Sequence, residues 1–296
     1  MIKTNLEKLV EMAVGGEIGH PAVCGKDEKV AFDGSAGVPV GFSGINFTVK
    51  VGDSAFDWAA GDEVEPGVAV RNCCDDANAC LALFACIGNE AVITEACMEG
   101  KDAKLKGTPG VVTGKVGGRD PRVLVHFPKR VVDRLCVGDS IQIRAGGVGL
   151  ALLDYPDVRV MNLGPRLLKA LNPSEKGGKV RIPVAKVIPG KLMGAGVGTI
   201  RPWSGGIDIQ STSPEAVKEY SLDQLRLGDL VAISDHDASH GSRWQQGAIT
   251  IGILSHGSSR RPGHGPGVNV ILTSPKGTIE PIITRKANLA ELLGLQ

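Results

Sequence analysis

Two segments of the chain, LCVGDSIQI (135–143) and LRLGDLVAI (225–233), share the pattern L-x-[VL]-G-D-x-[IV]-x-I. In each, a Gly-Asp turn opens a run rich in β-branched residues, and GDEVEPGVAV (61–70) repeats the turn and the valines alone. Glycine supplies the backbone freedom of a tight turn, and β-branched side chains suit a pleated surface. Each copy therefore launches a strand. The chain holds 41 glycines and 17 prolines in 296 residues, without collagen-like or low-complexity periodicity. That composition asks for many turns and short strands.

Around these strands a few helices are expected. Thr4 and Glu7 form a capping box before Leu6, Leu9 and Val10, and Gly15–Gly16 would stop the helix. DDANACLALFACIGNE reads as a buried helix with Asp75 or Asp76 as cap. FPKRVVDRL (127–135), SPEAVKEY (213–220, capped by Ser213) and NLAELLGLQ (capped by Asn288) read as short helices. GINFTVKVGD alternates Ile45, Phe47, Val49 and Val51, the period of a strand. The expected fold class is α+β: strand-rich, with mixed or antiparallel β-barrel or sandwich elements and a few short helices. A loop-rich stretch at 145–180 suggests two lobes. Residues 1–145 form an N-terminal strand-rich lobe containing the Cys-rich helix, and 146–296 a C-terminal strand-rich lobe.

Several function classes fall away on composition. A net charge of +1 offers no field for nucleic acid or an anionic membrane. The longest apolar run, CLALFACI (80–87), is too short to span a bilayer, and the N-terminus lacks a signal-peptide core. A cytoplasmic location is expected. None of the seven cysteines forms a C-x-x-C pair, so they are expected to be reduced, buried and free of zinc. No G-x-G-x-x-G follows a strand and no P-loop is present.

Chemistry concentrates in SDHDASHGSRW (234–244) and just beyond it. Four of the six histidines lie between residues 236 and 264. Strand period places Asp235 and Asp237 on the face of Val231 and Ile233, and His236 on the other. A buried carboxylate needs a cation, a metal or a ring of donors. The next strand, AITIGIL, ends at His256, which a hairpin could return toward His236. The loop SSRRPGHGPG then adds Arg260, Arg261 and His264. Mixed Asp/His ligation suits zinc, manganese or iron(II), and such a metal acidifies bound water and polarises a carbonyl. The expected ligands are Asp235, His236 and His240, with His256 or Asp208 completing the set. Asp237 is the expected proton carrier. Arg260, Arg261 and His264 would hold the substrate, because guanidinium offers paired donors to an anion and the glycines at 263, 265 and 267 let backbone amides approach it. Equally, the Asp-His-Asp triplet could cap a turn, and the arginine pair could lie solvated or form subunit salt bridges. Nothing in the sequence decides whether His20 joins the cluster.

Across its whole length the chain resembles a prokaryotic family known only as a domain of unknown function, through EPGVAVRN, the VGD-launched strands and LSHGSSRRPGHGPG. Residues 189–254 also resemble acetamidase/formamidase-type amidohydrolases. PGKLMGAGVG (189–198), PWSGGIDIQ (202–210) and GDLVAISDHDASHGSRWQQGAITIGI stand in the order of that family's proline–glycine lead-in, G-G-x-x-D and D-x-H segments. The resemblance implies a role for Asp208 and for Asp235 or His236. Ser242, Arg243 and Trp244 stand where the family carries its D-G-E acid.

The expected function is metal-dependent hydrolysis of a small amide-like substrate. The alternative is a non-catalytic protein that binds a small anion or metabolite through loop 258–267, which the missing acid favours. A homo-oligomer is expected, because histidine–arginine loops also build subunit interfaces.

Overall fold

The computed structural model describes residues 2–21, 29–30, 33–34, 36–37, 44–59, 62–97, 104–117, 121–199, 203 and 205–295. Cys24 lies outside them. The first half contains β1 (Met12–Ile18), a short pair β2 (Lys29–Val30) and β3 (Ala36–Gly37), β4 (Val68–Arg71), α1 (Asp75–Phe84), β5 (Glu90–Glu95), β6 (Pro109–Val116), β7 (Arg122–His126), α2 (Lys129–Val132) and β8 (Ser140–Ala145). Six of the strands close a barrel in the order β1-β4-β7-β6-β5-β8. Every neighbouring pair is antiparallel, and β8 returns to β1. Closure removes the exposed edges an open sheet would carry. In β8, Ile141 and Ile143 point into the barrel core while Gln142 and Arg144 face out.

The second half contains β9 (Arg159–Val160), α3 (Pro165–Leu171), β10 (Ser174–Lys176), β11 (Lys179–Val184), β12 (Lys186–Pro189), β13 (Ile207–Asp208), α4 (Pro214–Glu219), β14 (Leu230–Asp237), β15 (Arg243–His256), β16 (Gly267–Ser274), β17 (Ile279–Ile283) and α5 (Leu289–Leu293). A mixed sheet runs β12-β14-β15-β16-β13, with β9 also on β16, and a small sheet runs β10-β11-β17. Strand β14 is buried on both faces. Leu230 and Ala232 enter one core, and Val231 and Ile233 enter another. That is why its sequence is continuously apolar rather than alternating. The molecule is thus a strand-rich α+β protein with a barrel, additional mixed sheets and, among the described residues, five short α-helices. No described helix is long and apolar enough to cross a membrane.

The Gly-Asp repeat has a common structure. In both copies the glycine has positive φ, 96° at Gly138 and 83° at Gly228. The aspartate that follows accepts the amide three residues earlier at 2.8 Å: Asp139 from Cys136, Asp229 from Arg226. Lys50-Val51-Gly52-Asp53 builds the same turn, with Asp53 accepting from Lys50 N at 2.9 Å. The caps at Ser213 and Asn288 form as expected, accepting from the amides of Ala216 and Ala290.

Three expectations are corrected. The N-terminal helix is only a 3-10 turn at Leu6–Lys8, and Gly15–Gly16 lie inside β1. A Cβ on Gly16 would come within 2.2 Å of Arg71 O, so the pair serves close strand approach rather than helix termination. Residues 45–51 are not a strand. The Asn46 side chain accepts the amides of Thr48 and Val49, forming a side-chain turn, and Phe47 is 52 % exposed. Among the described cysteines only Cys86 is buried; Cys73, Cys74, Cys80 and Cys97 are exposed.

Candidate metal centre

The long connection between β1 and β4 crosses from the barrel to the second sheet. Its backbone docks at residues 52–64: Ala55 N donates to Leu225 O, Ser258 N to Ala55 O, Gly257 N to Val64 O and Glu63 N to Ser258 O. This places Glu63 beside Asp208 on β13 and His264 on the loop after β15. The three residues offer ligand atoms that all lie within 4.8 Å of one another. His264 Nδ1 is 3.0 Å from both Glu63 Oε1 and Asp208 Oδ2. Although this nitrogen is buried, it makes no aligned hydrogen bond with either oxygen. Glu63 and Asp208 are themselves buried, and Glu63 has φ 54°, an uncommon backbone for a residue with a side chain.

His256 flanks the cluster, its Nε2 3.6 Å from Asp208 Oδ1. Its Nδ1 lies 3.2 Å from Gly257 O, and a carbonyl only accepts, so Nδ1 carries a proton there. The Nε2 edge of the ring faces that carboxylate. Gly267 makes room for it; a Cβ there would meet His256 Nε2 at 1.9 Å. Gly265 is similarly closed off by Ile209 O at 1.9 Å. These two glycines serve tight packing rather than anion approach.

The cluster's electrostatics fit a cation. Asp208 and Glu63 raise His264 to about 9 against the opposing effect of burial. Burial pushes the Glu63 carboxyl up, but His264, His256 and Arg261 outweigh it and hold the group below its ordinary range. Without metal, the imidazole keeps its proton at neutral pH between two carboxylates.

The structure brings together Asp208, His256 and His264 from the expected set and adds Glu63. It leaves the others elsewhere. His256 cannot reach His236: in the hairpin His236 pairs with Trp244, and His256 lies at the far end of the 14-residue β15. His236 has both ring nitrogens on hydroxyls, Thr250 at 3.0 Å and Ser242 at 2.8 Å, and burial lowers it to about 4 despite Asp237. Asp235 sits at a β-bulge with φ 55° and accepts from Gly247 N at 2.7 Å. The bulge resets the strand alternation, so His236 and Asp237 are both buried. Asp237 accepts from Ser239 and Arg243, and His240 is exposed. The knot is thus a hydrogen-bonded strand end apart from the Glu63 cluster. Arg260 pairs with Asp33 at 2.9 Å and Arg261 with Glu63 at 3.3 Å. His20 is exposed and lies outside the described metal-competent group. A cleft of about 390 Å³ on the barrel wall, lined by Gly15, Gly16, Glu17, Cys73 and Gln142, includes none of these histidines.

Sequence reasoning missed Glu63 because GDEVEPGV carries only a turn signal. Its partner Asp208 is remote in the chain, and only the path of the β1–β4 connection joins them.

Fold and site together define a barrel-containing α+β protein with a carboxylate–histidine cluster where the barrel's long connection meets the second sheet. The chain belongs to the family described as Domain of unknown function (DUF4438): the N-terminal model matches residues 29–169 and the C-terminal model residues 170–293. It is similar to a solved structure, "Crystal structure of TM1086", at 42 % identity over 98 % of each chain, with a TM-score of 0.89. A comparison with curated proteins found no match. The amidohydrolase resemblance of residues 189–254 finds no support, since the C-terminal DUF4438 model covers that segment.

Proposed function

We propose that the protein binds one divalent transition-metal ion through Glu63, Asp208 and His264 and hydrolyses a small polar substrate there. The observation that carries this reading is the buried His264 Nδ1, 3.0 Å from two carboxylate oxygens without hydrogen-bond alignment to either. Ligand atoms about 2.1 Å from a common ion lie about 3.0–3.4 Å apart in octahedral or tetrahedral geometry. Two carboxylates and an imidazole suit zinc, manganese or iron(II) over copper(I) or calcium. His256, 3.6 Å from the other Asp208 oxygen, would complete the set or support Asp208. A metal held this way supplies a nucleophilic water and polarises a carbonyl. The His264 side chain is 25 % exposed, so solvent reaches one side.

The small-anion reading has less support, because both Arg260 and Arg261 already face carboxylates.

Elemental analysis of metal-supplemented, dialysed protein tests the proposal. About one equivalent of zinc, manganese or iron is expected in the wild type and in His236→Ala. Asp208→Asn and His264→Ala should lose it, and metal-loaded wild type should then be screened on amides and esters. Full retention in His264→Ala would overturn the assignment.

A further inference from the structure

Next to Glu63 stands Asp62, 5 % exposed and not one of the three clustered ligand residues. It binds the loop that carries His264. Ser259 Oγ donates to Asp62 Oδ1 and Oδ2 at 3.0 and 3.1 Å, and Arg260 N donates to Oδ1 at 2.6 Å. Ser259 Oγ in turn accepts from Arg261 N at 3.1 Å, and His264 N donates to Arg261 O at 3.1 Å. One buried carboxylate thus fixes the start of a turn whose end presents His264. Through the same backbone, Asp62 fixes Glu63: the Glu63 amide is bound to Ser258 O at 2.9 Å, on the residue next to Ser259. The two ligands come from segments about 200 residues apart in sequence, and Asp62 clasps one segment to the other at the site through three hydrogen bonds.

We infer that Asp62 is a positioning residue of the metal centre, one that sets His264 and Glu63 in ligand-ready geometry before the ion arrives. The inference rests on the metal reading above. Its physical basis is preorganisation. The left-handed φ of Glu63 and the turn before His264 are conformations a free loop would seldom hold together, and a buried, charge-assisted clasp holds them. Without the clasp, the ion would have to order both segments itself and affinity would fall. Once bound, the ion would still see the same ligand atoms.

The test is a cobalt(II) titration of the full chain, read by visible absorption and by competition with a chromophoric chelator. Asp62→Ala should weaken cobalt(II) binding at least about tenfold, the usual scale for a group that orients a ligand. Its saturated spectrum should match that of the wild type. Asp62→Asn, which keeps an acceptor for Arg260 N, should fall between the two. Ser259→Ala, which removes the hydroxyl donor to Asp62 and the acceptor for Arg261 N, should weaken binding about threefold and guards against a misfolded Asp62→Ala protein. Affinity in Asp62→Ala and Ser259→Ala within about twofold of wild type would make Asp62 purely structural and overturn the inference. A changed saturated spectrum would make it a ligand and overturn it too. Failure of the wild type to bind cobalt(II) would instead sink the metal reading, and this inference with it.

Discussion

His236 shows how a residue suggestive of chemistry can be spent on structure. Both ring nitrogens are bound by hydroxyls and burial holds the imidazole at about 4, so the folded protein keeps it neutral. The unfolded chain protonates the same ring near pH 6.5. Between pH 6.5 and 4 the unfolded state therefore binds more protons, and stability falls as pH falls. The stabilising contribution is complete above pH 6.5 and lost by about pH 4, a change of about 3 kcal/mol. Urea denaturation at pH 7, 5.5 and 4.5 should show this loss in the wild type and a shallower one in His236→Gln. Identical slopes would show that His236 is not buried neutral. The Asp-His-Asp pattern fits a ligand or a structural role equally, and in the structure the hydroxyls of Thr250 and Ser242 occupy both ring nitrogens. His264 went the other way. It reads as a substrate-binding loop residue, yet two carboxylates close on its Nδ1.

Elements were legible where local chemistry sets them. The Gly-Asp turns, the caps at Ser213 and Asn288, and the β14–β15 hairpin all follow from short-range signals. Tertiary approach overrode local pattern at Gly15–Gly16, where β8 and β4 crowd the backbone, and at 45–51, where Asn46 captured two amides. The shared turn gives a prediction at this scale. Asp229 accepts from Arg226 N and from Asn288 Nδ2, and is 2 % exposed. Asp229→Ala would leave those donors unmet and should cost about 2–4 kcal/mol, read as a lowered urea midpoint with unchanged slope. Asp53→Ala, on a more open turn, should cost about 1 kcal/mol. Equal costs would show that the turn, rather than its burial, sets the energy.

At the scale of the molecule, barrel and second sheet are joined by a polar seam no local pattern could announce. Lys115 on β6 is fully buried and donates to Asn162 Oδ1 at 2.8 Å and to Trp203 O at 3.0 Å. Its backbone exchanges two hydrogen bonds with the Asn269 side chain on β16. Burial lowers this amine to about 8, with Cys86 opposing. Lys115→Met keeps the length and removes the donors, leaving their acceptors unsatisfied. It should destabilise the protein by about 2–4 kcal/mol and lower the calorimetric midpoint. An unchanged midpoint would mean the seam is held by packing alone. The same long-range assembly hid the candidate site, because Glu63 meets Asp208 and His264 only after the β1–β4 connection has crossed to the second sheet.

The central claim is that this meeting point holds a metal ion. The most direct measurement is an anomalous difference map from a crystal of zinc-loaded protein, collected on both sides of the zinc absorption edge. One strong peak is expected, bounded by Glu63, Asp208 and His264, beside His256. A peak at Asp235, His236 and His240, or none in zinc-loaded crystals, would contradict it.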